Sequence, residues 1–373
     1  MTRTRVVIAG FGDTGLLTGI NLAKHRRRLD IVGISAKPEL VSGQELGLRL
    51  SRPGEWARDY RVGFDRYRQL QGVRTVHGEL TGLDLDARTV SVRCPDGSDA
   101  VEPFDSLVIS TGVRNGFWRN PKLQSAAEVD ADLRATHERL AAASSVAVIG
   151  GGTAAVSSAY NIAMTWPDTR VDLYIPHERA LVNHHVKVWS QVRQRLEAAG
   201  VKVHTSHRAV IPDGFDCDAI TSDPVEFSTG QVPIKADAVL WAVGRVRPNT
   251  SWLPADLLDE DGFVIVTPTL QVPGHPHVFA IGDVAATDPL RSTARNFVHG
   301  LLAANVVAQI DGKPLKSFKP PPSRWGSVLG VQADGLQVFA RSGRSFREPL
   351  WFVRRVQQPL IVERGIYRGM KRG

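Results

Sequence analysis

Arg5-Val-Val-Ile-Ala-Gly10-Phe-Gly12-Asp-Thr-Gly15-Leu-Leu-Thr-Gly-Ile-Asn-Leu-Ala23 decides the fold, because a second stretch repeats its grammar about 140 residues later. That stretch is Val146-Ala-Val-Ile-Gly150-Gly-Gly152-Thr-Ala-Ala155-Val-Ser-Ser-Ala-Tyr-Asn-Ile-Ala163. Each copy is an apolar strand, a glycine turn and a segment of helical period. In such a turn the first glycine permits the tight bend, the second lets the backbone approach a diphosphate, and the third lets helix pack on strand. The diphosphate then meets the unpaired N–H groups and positive dipole end of the helix. A single G-x-G-x-x-G says little, but two copies, each between a strand and a helix, imply two dinucleotide sites in one chain. That arrangement points to electron or hydride transfer between two cofactors. The turn residues are Gly10, Gly12, Asp13, Thr14 and Gly15 in the first copy. They are Gly150, Gly152, Thr153, Ala154 and Ala155 in the second, where alanine takes the third small position.

The rest of the chain continues an α/β pattern. Val73 to Val92 alternates as a small antiparallel piece, and Phe104 to Gly112 reads as a buried strand. Arg119 to Ala143 reads as a connector and a helix. Val171 to Tyr174 and Val201 to His204 follow as strands around an amphipathic helix from Trp189 to Ala199. Ala236 to Gly244 is again a buried strand, Gly262 to Asp283 a hairpin and strand, and Ser292 to Ile310 a long helix. Lys319-Pro-Pro-Pro322 is a stiff extended linker into a tail. The uncharged run from Leu140 to Pro167 changes period midway and contains three consecutive glycines, so it is strand, turn and helix, not a membrane span.

Charge sharpens the plan. The formal net charge of the 373 residues is +8, but from Arg341 onward nine positive residues face two negative ones, leaving the rest close to neutral. A near-neutral body with a basic tail excludes a basic nucleic-acid-binding module. Cys94 and Cys217 form no CxxC and sit in no His/Cys cluster, which excludes a disulfide framework and a structural metal and suggests a reducing, cytoplasmic compartment. Met1 to Arg5 runs straight into an apolar strand without a signal core, so secretion is not expected. His184-His185 diverge from each other and carry no ligand spacing, so a loop or surface role is expected of them.

Five segments now carry a resemblance. The two glycine turns are joined by Phe104-Asp-Ser-Leu-Val-Ile-Ser-Thr-Gly112, by Ala238-Val-Leu-Trp-Ala-Val-Gly244-Arg-Val-Arg-Pro-Asn249, and by Val278-Phe-Ala-Ile-Gly282-Asp283-Val-Ala285. Together they resemble the FAD-dependent pyridine nucleotide-disulfide oxidoreductase superfamily. The region from Val101 to Val186 is most similar to the apoptosis-inducing-factor-like, ferroptosis-suppressor branch and to type II NAD(P)H:quinone oxidoreductases. The resemblance implies an FAD domain at 1–115 and 245–318, interrupted by an NAD(P)H domain at 116–244, with a C-terminal module at 319–373. For FAD it implies Gly10, Gly12, Asp13, Thr14, Gly15, Ser35, Lys37, Leu80, Thr111, Gly112, Gly282 and Asp283. For NADPH or NADH it implies Gly150, Gly152, Thr153, Ala154, Ala155, His177, Arg179 and Gly244. A helix starting near Ser292 would aim its N-terminus at the flavin, and His299 on it is a candidate for acceptor contact or for a domain seam.

Departures from the family pattern matter too. Ser35 stands where many members carry an acid for the adenosine ribose; a hydroxyl forms that bond without charge assistance, a difference of roughly 1 kcal/mol. Ile175 is likewise apolar where an acid would repel a 2′-phosphate, and His177 and Arg179 follow, so the pattern leans to NADPH. Ser157 replaces a glutamate usual near the nicotinamide. Arg245 and Arg247 read as loop and interface residues. Met1-Thr2 lacks the glycine needed for myristoylation.

The tail supports two readings. Leu350-Trp-Phe-Val353, Val356, Leu360-Ile-Val362 and Ile366-Tyr367 interleave with Arg354, Arg355, Arg364 and Arg368, and Pro359 should split any helix into two pieces. These residues either close the C-terminal core or meet an anionic membrane on its inner face. The resulting expectation is an FAD-dependent NAD(P)H dehydrogenase with a quinone-like acceptor. The alternatives are a flavin-bearing redox sensor with weakened turnover and a reductase of a ferredoxin-like carrier.

Overall fold

The computed structural model describes residues 3–116, 121–244, 246–294 and 298–371. Arg245, the start of the connector at Arg119, and 295–297 of the helix expected from Ser292 lie outside the described residues. Two parallel sheets organise the molecule. In the first, the strands run in the order Gln271–Val272, His275–Ala280, Ser106–Ile109, Thr4–Ala9, Leu29–Ser35 and Arg74–His77. Only the Gln271–Val272 hairpin strand is antiparallel. In the second, Lys202–His204, Arg170–Tyr174, Ser145–Ile149 and Ala238–Trp241 are all parallel. The chain leaves the first sheet after Ser106–Ile109, builds the second, and returns through His275–Ala280.

The strand pattern explains this directly. Val6, Val7, Ile8 and Ala9 are fully buried, as is Val148, because helices or a second layer cover both faces of a parallel sheet. Each glycine turn therefore falls at the C-terminal end of a central strand and opens a helix, Asp13–Leu22 in one case and Thr153–Thr165 in the other. Ligands bind at that edge of an open α/β sheet.

Three expectations are corrected. Arg74–His77, inside the piece expected to be antiparallel, is instead a parallel edge strand, pairing Val32 with Arg74 through Ser35 with His77. Alternation marks a half-exposed strand in either direction, so the sequence carried no sign of its polarity. The antiparallel sheet consists of Glu79–Asp84, Thr89–Arg93 and Asp99–Pro103. Ser292–Ala294 is a 3-10 turn, and the described α-helix is Val298–Ile310. Pro359 does not split the tail: Val353–Ile366 is one π-helical segment with the proline inside it. A π turn is wider than an α turn and leaves room for a ring that an α-helix would press against a carbonyl.

The tail module, with its sheet of Val331–Gln332, Gly335–Phe339 and Ser345–Glu348, closes both halves. Val328, Leu329 and Phe339 join the core of the second sheet, while Tyr367 joins that of the first, its ring edge-on to Tyr67 at 5.1 Å. Trp351, Leu360 and Ile361 remain exposed. Among the described residues no helix is long and apolar enough to cross a membrane.

Candidate functional site

Both glycine turns open onto one cavity of about 1600 Å3. The glycines divide their tasks as the sequence suggests. A Cβ at Gly10 (φ +95°) would lie 2.6 Å from the backbone of Ser110 and Thr111, and one at Gly15 would lie 2.1 Å from the Gly10 carbonyl. A Cβ at Gly150 would meet the Ala242 carbonyl at 2.1 Å, and Ala155 is fully buried. Gly12 and Gly152, in contrast, have nothing within 4 Å of a built Cβ and line the cavity. These two positions are the N-caps of their helices, and neither helix receives a side-chain cap. Two uncapped helix N-termini with open backbone beside them fit the diphosphates of two dinucleotides. Asp13 does not spoil the first one, because its carboxylate accepts from Ser42 Oγ at 2.7 Å and from the Gly43 N–H at 2.8 Å.

Around the first turn the cavity is lined by Thr14, Ser35, Lys37, Leu80, Thr111 and Gly112, and by Asp283 and Gly282, where a built Cβ would lie 3.3 Å from Thr14 Oγ1. Ser35 Oγ accepts from the Lys37 N–H at 3.2 Å. Lys37 Nζ donates to the Lys122 carbonyl, and burial brings its pKa down to about 8 against the pull of Asp132. Thr111 and Asn249 exchange hydrogen bonds of 2.8 and 2.9 Å beside the short antiparallel pair Val113–Arg114 and Arg247–Pro248, where the chain crosses between the sheets. Arg247 on that crossing is held by Asp216 at 2.8 Å, an interface role. Around the second turn the cavity is lined by Thr153, Ala154, Ser157 and Gly244.

His177 and Arg179 are not brought to the cavity. Arg179 donates to the carbonyls of Leu181, Val182 and His184, pinning the loop whose Asn183 does line it. Ile175 is fully buried, its Cγ2 3.1 Å from a Cβ built at Gly151. His184 is buried in that loop, and His185 Nδ1 caps the next helix by accepting from the Lys187 N–H at 3.2 Å. His299 lines the cavity; burial, with Arg368 and Lys24 nearby, lowers its pKa to about 4, so its ring is neutral.

The sequence pointed to Val362, Ile366 and Tyr367 of the tail but not to the helix they share the cavity with. Asp59 and Tyr60 end the helix Pro53–Tyr60 and line the cavity together with Gln358, Val362, Ile366 and Tyr367. The amphipathic spacing of Trp56 and Tyr60, which stack at 6.3 Å, was the only available sign of a helix there. Glu45, at φ 51° and ψ 48°, caps the short helix Leu46–Ser51 and also lines the cavity. Its carboxylate fills the space that a side chain at Gly330 would need. A non-glycine residue held in this left-handed region beside a cavity marks local strain at a candidate site.

Two parallel sheets, each presenting a glycine turn to a shared cavity, define a two-dinucleotide oxidoreductase. Residues 4–308 match the pyridine nucleotide-disulphide oxidoreductase family, and the chain belongs to that family. It is an NAD(P)H-dependent flavin enzyme whose cofactors are FAD and a nicotinamide nucleotide. Among relatives, it is 27% identical over 331 residues to ferroptosis suppressor protein 1 of Xenopus tropicalis, covering 85% of this chain and 83% of that one. It is 26% identical over 351 residues to a type II NADH:quinone oxidoreductase of Mycobacterium tuberculosis, covering 82% and 71%. The sulfide:quinone oxidoreductase of Aquifex aeolicus has the same fold, with a TM-score of 0.71 at 17% identity over 98% of this chain and 92% of that one.

Proposed function

We propose that this chain is an NAD(P)H dehydrogenase that delivers two electrons to a quinone-type acceptor. The observation that carries the reading is the continuity of the cavity from the two uncapped helix ends to a wall of Tyr60, Val362, Ile366 and Tyr367. FAD held there would supply the hydride-accepting and electron-donating chemistry between the nicotinamide and the acceptor. The residues of the chain position and seal.

Gly12 and the N–H groups that follow it would hold one diphosphate, with Gly15 keeping helix and strand in contact; Ser35 and Lys37 would face the adenosine ribose and Asp283 the ribityl chain. Gly152, Thr153 and Ala154 would hold the nicotinamide nucleotide on the other side, where Gly244 also lines the wall. His177 lies beyond the cavity, so any contact of it or Arg179 would be to the distal phosphate end. The Tyr60, Val362, Ile366 and Tyr367 stretch of the wall would offer a quinone ring aromatic and aliphatic contact. Trp351, Leu360 and Ile361, exposed beside Arg354, Arg355 and Arg364, would let the same tail segment rest on an anionic membrane that carries such an acceptor.

Steady-state oxidation of NADH and NADPH with a panel of acceptors tests this reading. A soluble quinone should support turnover with little dependence on salt. Turnover only with an acidic protein carrier, falling steeply with salt, would contradict it.

A further inference from the structure

Hydride transfer uses one face of the nicotinamide ring, which has to meet the flavin where the two halves of the chain join. The opposite face is left for the protein to cover.

Most of the Phe, Tyr and Trp side chains on the cavity wall are already committed within the chain. Phe11 is buried against Phe64 with ring centroids 5.2 Å apart, Tyr60 stacks on Trp56, and Tyr367 packs edge-on to Tyr67. Trp252 is buried, and its Nε1 donates to the Asn249 carbonyl at 3.2 Å. Trp325 differs from all of these: it lines the cavity while 42% exposed, and among the described residues no ring packs on it. Its backbone is nevertheless fixed on three sides. The Arg324 N–H donates to the Asn183 carbonyl at 3.2 Å, and Asn183 belongs to the loop whose Leu181 N–H donates to the Gly151 carbonyl of the second glycine turn at 2.8 Å. Arg324 Nη2 donates to the Leu290 carbonyl at 3.1 Å, on the stretch after Asp283 that the Thr293 hydroxyl ties back to the Gly282 N–H at 3.2 Å. Gly326 exchanges backbone bonds of 2.9 and 3.0 Å with Phe339, which is buried in the core of the second sheet. Arg324 thus bonds to both halves, and the indole beside it stands at their junction.

We propose that Trp325 covers the nicotinamide face turned away from the flavin and so holds the ring in position for hydride transfer. An indole on a fixed backbone offers a flat apolar surface and loses little freedom when a ring stacks on it. The inference rests on the NAD(P)H part of the reading above and is independent of the acceptor.

The test is binding to the flavin-loaded protein. NAD+ or NADP+, whichever the wild type binds more tightly, is compared with ADP-ribose or 2′-phospho-ADP-ribose, which lack the nicotinamide. Trp325→Ala should weaken the dinucleotide roughly fivefold to tenfold and change the ADP-ribose by less than about twofold. Trp325→Phe should keep most of the dinucleotide affinity. The dinucleotide should quench tryptophan emission of the wild type more than ADP-ribose does, and that difference should vanish in Trp325→Phe. Flavin content and melting temperature should be the same in all three proteins, because the exposed indole supports no part of the core. Equal weakening of dinucleotide and ADP-ribose in Trp325→Ala, or no weakening of either, overturns the proposal alone. Unchanged dinucleotide binding with a raised KM for a quinone also overturns it and assigns the indole to the acceptor. A wild-type protein that binds neither dinucleotide overturns the NAD(P)H reading and the proposal with it.

Discussion

Gly47 rests directly on Ser157: a Cβ built at Gly47 would lie 2.5 Å from both the carbonyl oxygen and Oγ of Ser157. This contact joins the short helix Leu46–Ser51 of the first half to the helix after the second glycine turn. It gives a physical reason for the small residue at 157, since no longer side chain fits there while Gly47 approaches so closely. Ser157 also belongs to a buried polar cluster. Asn161 Nδ2 donates to its carbonyl at 2.8 Å and to the Leu329 carbonyl at 3.1 Å, and Gln332 Nε2 donates to Asn161 Oδ1 at 3.1 Å. Gly47→Ala or Ser157→Glu should therefore overpack the seam and cost about 1–3 kcal/mol, read as a lower urea midpoint. Unchanged stability in both would mean that the two helices separate freely.

The glycines of each turn should separate fold from ligand. Gly10→Ala forces a side chain into a left-handed backbone already 2.6 Å from Ser110, so it should destabilise by more than about 1 kcal/mol. A Cβ built at Gly12 or Gly152 meets nothing within 4 Å, so Gly12→Val and Gly152→Val should leave stability within about 0.5 kcal/mol. Gly12→Val should lose copurifying flavin, and Gly152→Val should retain flavin but bind NAD(P)H poorly. Flavin absorbance and nucleotide titration of the three variants check this division.

Arg179 is tied to three carbonyls, so its loss should loosen the 181–184 loop as a whole. Arg179→Ala should raise KM for NADH and NADPH by similar factors. A rise confined to NADPH would show that the guanidinium leaves those carbonyls for a 2′-phosphate.

His299 links the cavity wall to acid stability. Its folded pKa of about 4 lies below the ordinary imidazole value of 6.5 because burial, Arg368 and Lys24 disfavour the charged ring. The unfolded chain therefore binds this proton first. Stability is lost as pH falls from about 6.5 towards 4, and the group contributes nothing above that window. His299→Gln should flatten this part of the acid limb in thermal melts recorded between pH 7 and pH 4. An unchanged slope would place the ring in solvent.

Much of the fold was legible because the glycine turns are local. Gly10 reports a left-handed backbone and Gly15 a close helix–strand approach that a side chain would obstruct, and the repetition of the turn at Gly150 and Gly152 points to a second sheet. The strand Arg74–His77 was misread because alternation does not encode direction, and the π-helical path through Pro359 depends on packing of the tail. The acceptor wall was hidden for a similar reason: Asp59 and Tyr60 lie roughly 300 residues from Gln358 and Tyr367 and meet them only in the folded chain. Arg179 shows the opposite error, in which a basic residue at a suggestive sequence position is occupied by its own loop.

Anaerobic titration of the purified flavin-loaded protein with NADH and NADPH, followed by addition of a quinone, reads hydride transfer to the flavin and its onward passage. A nicotinamide nucleotide should bleach the flavin absorbance stoichiometrically, and the quinone should restore it. A protein that retains no flavin on reconstitution, or one whose bound flavin neither nucleotide reduces, would contradict that transfer.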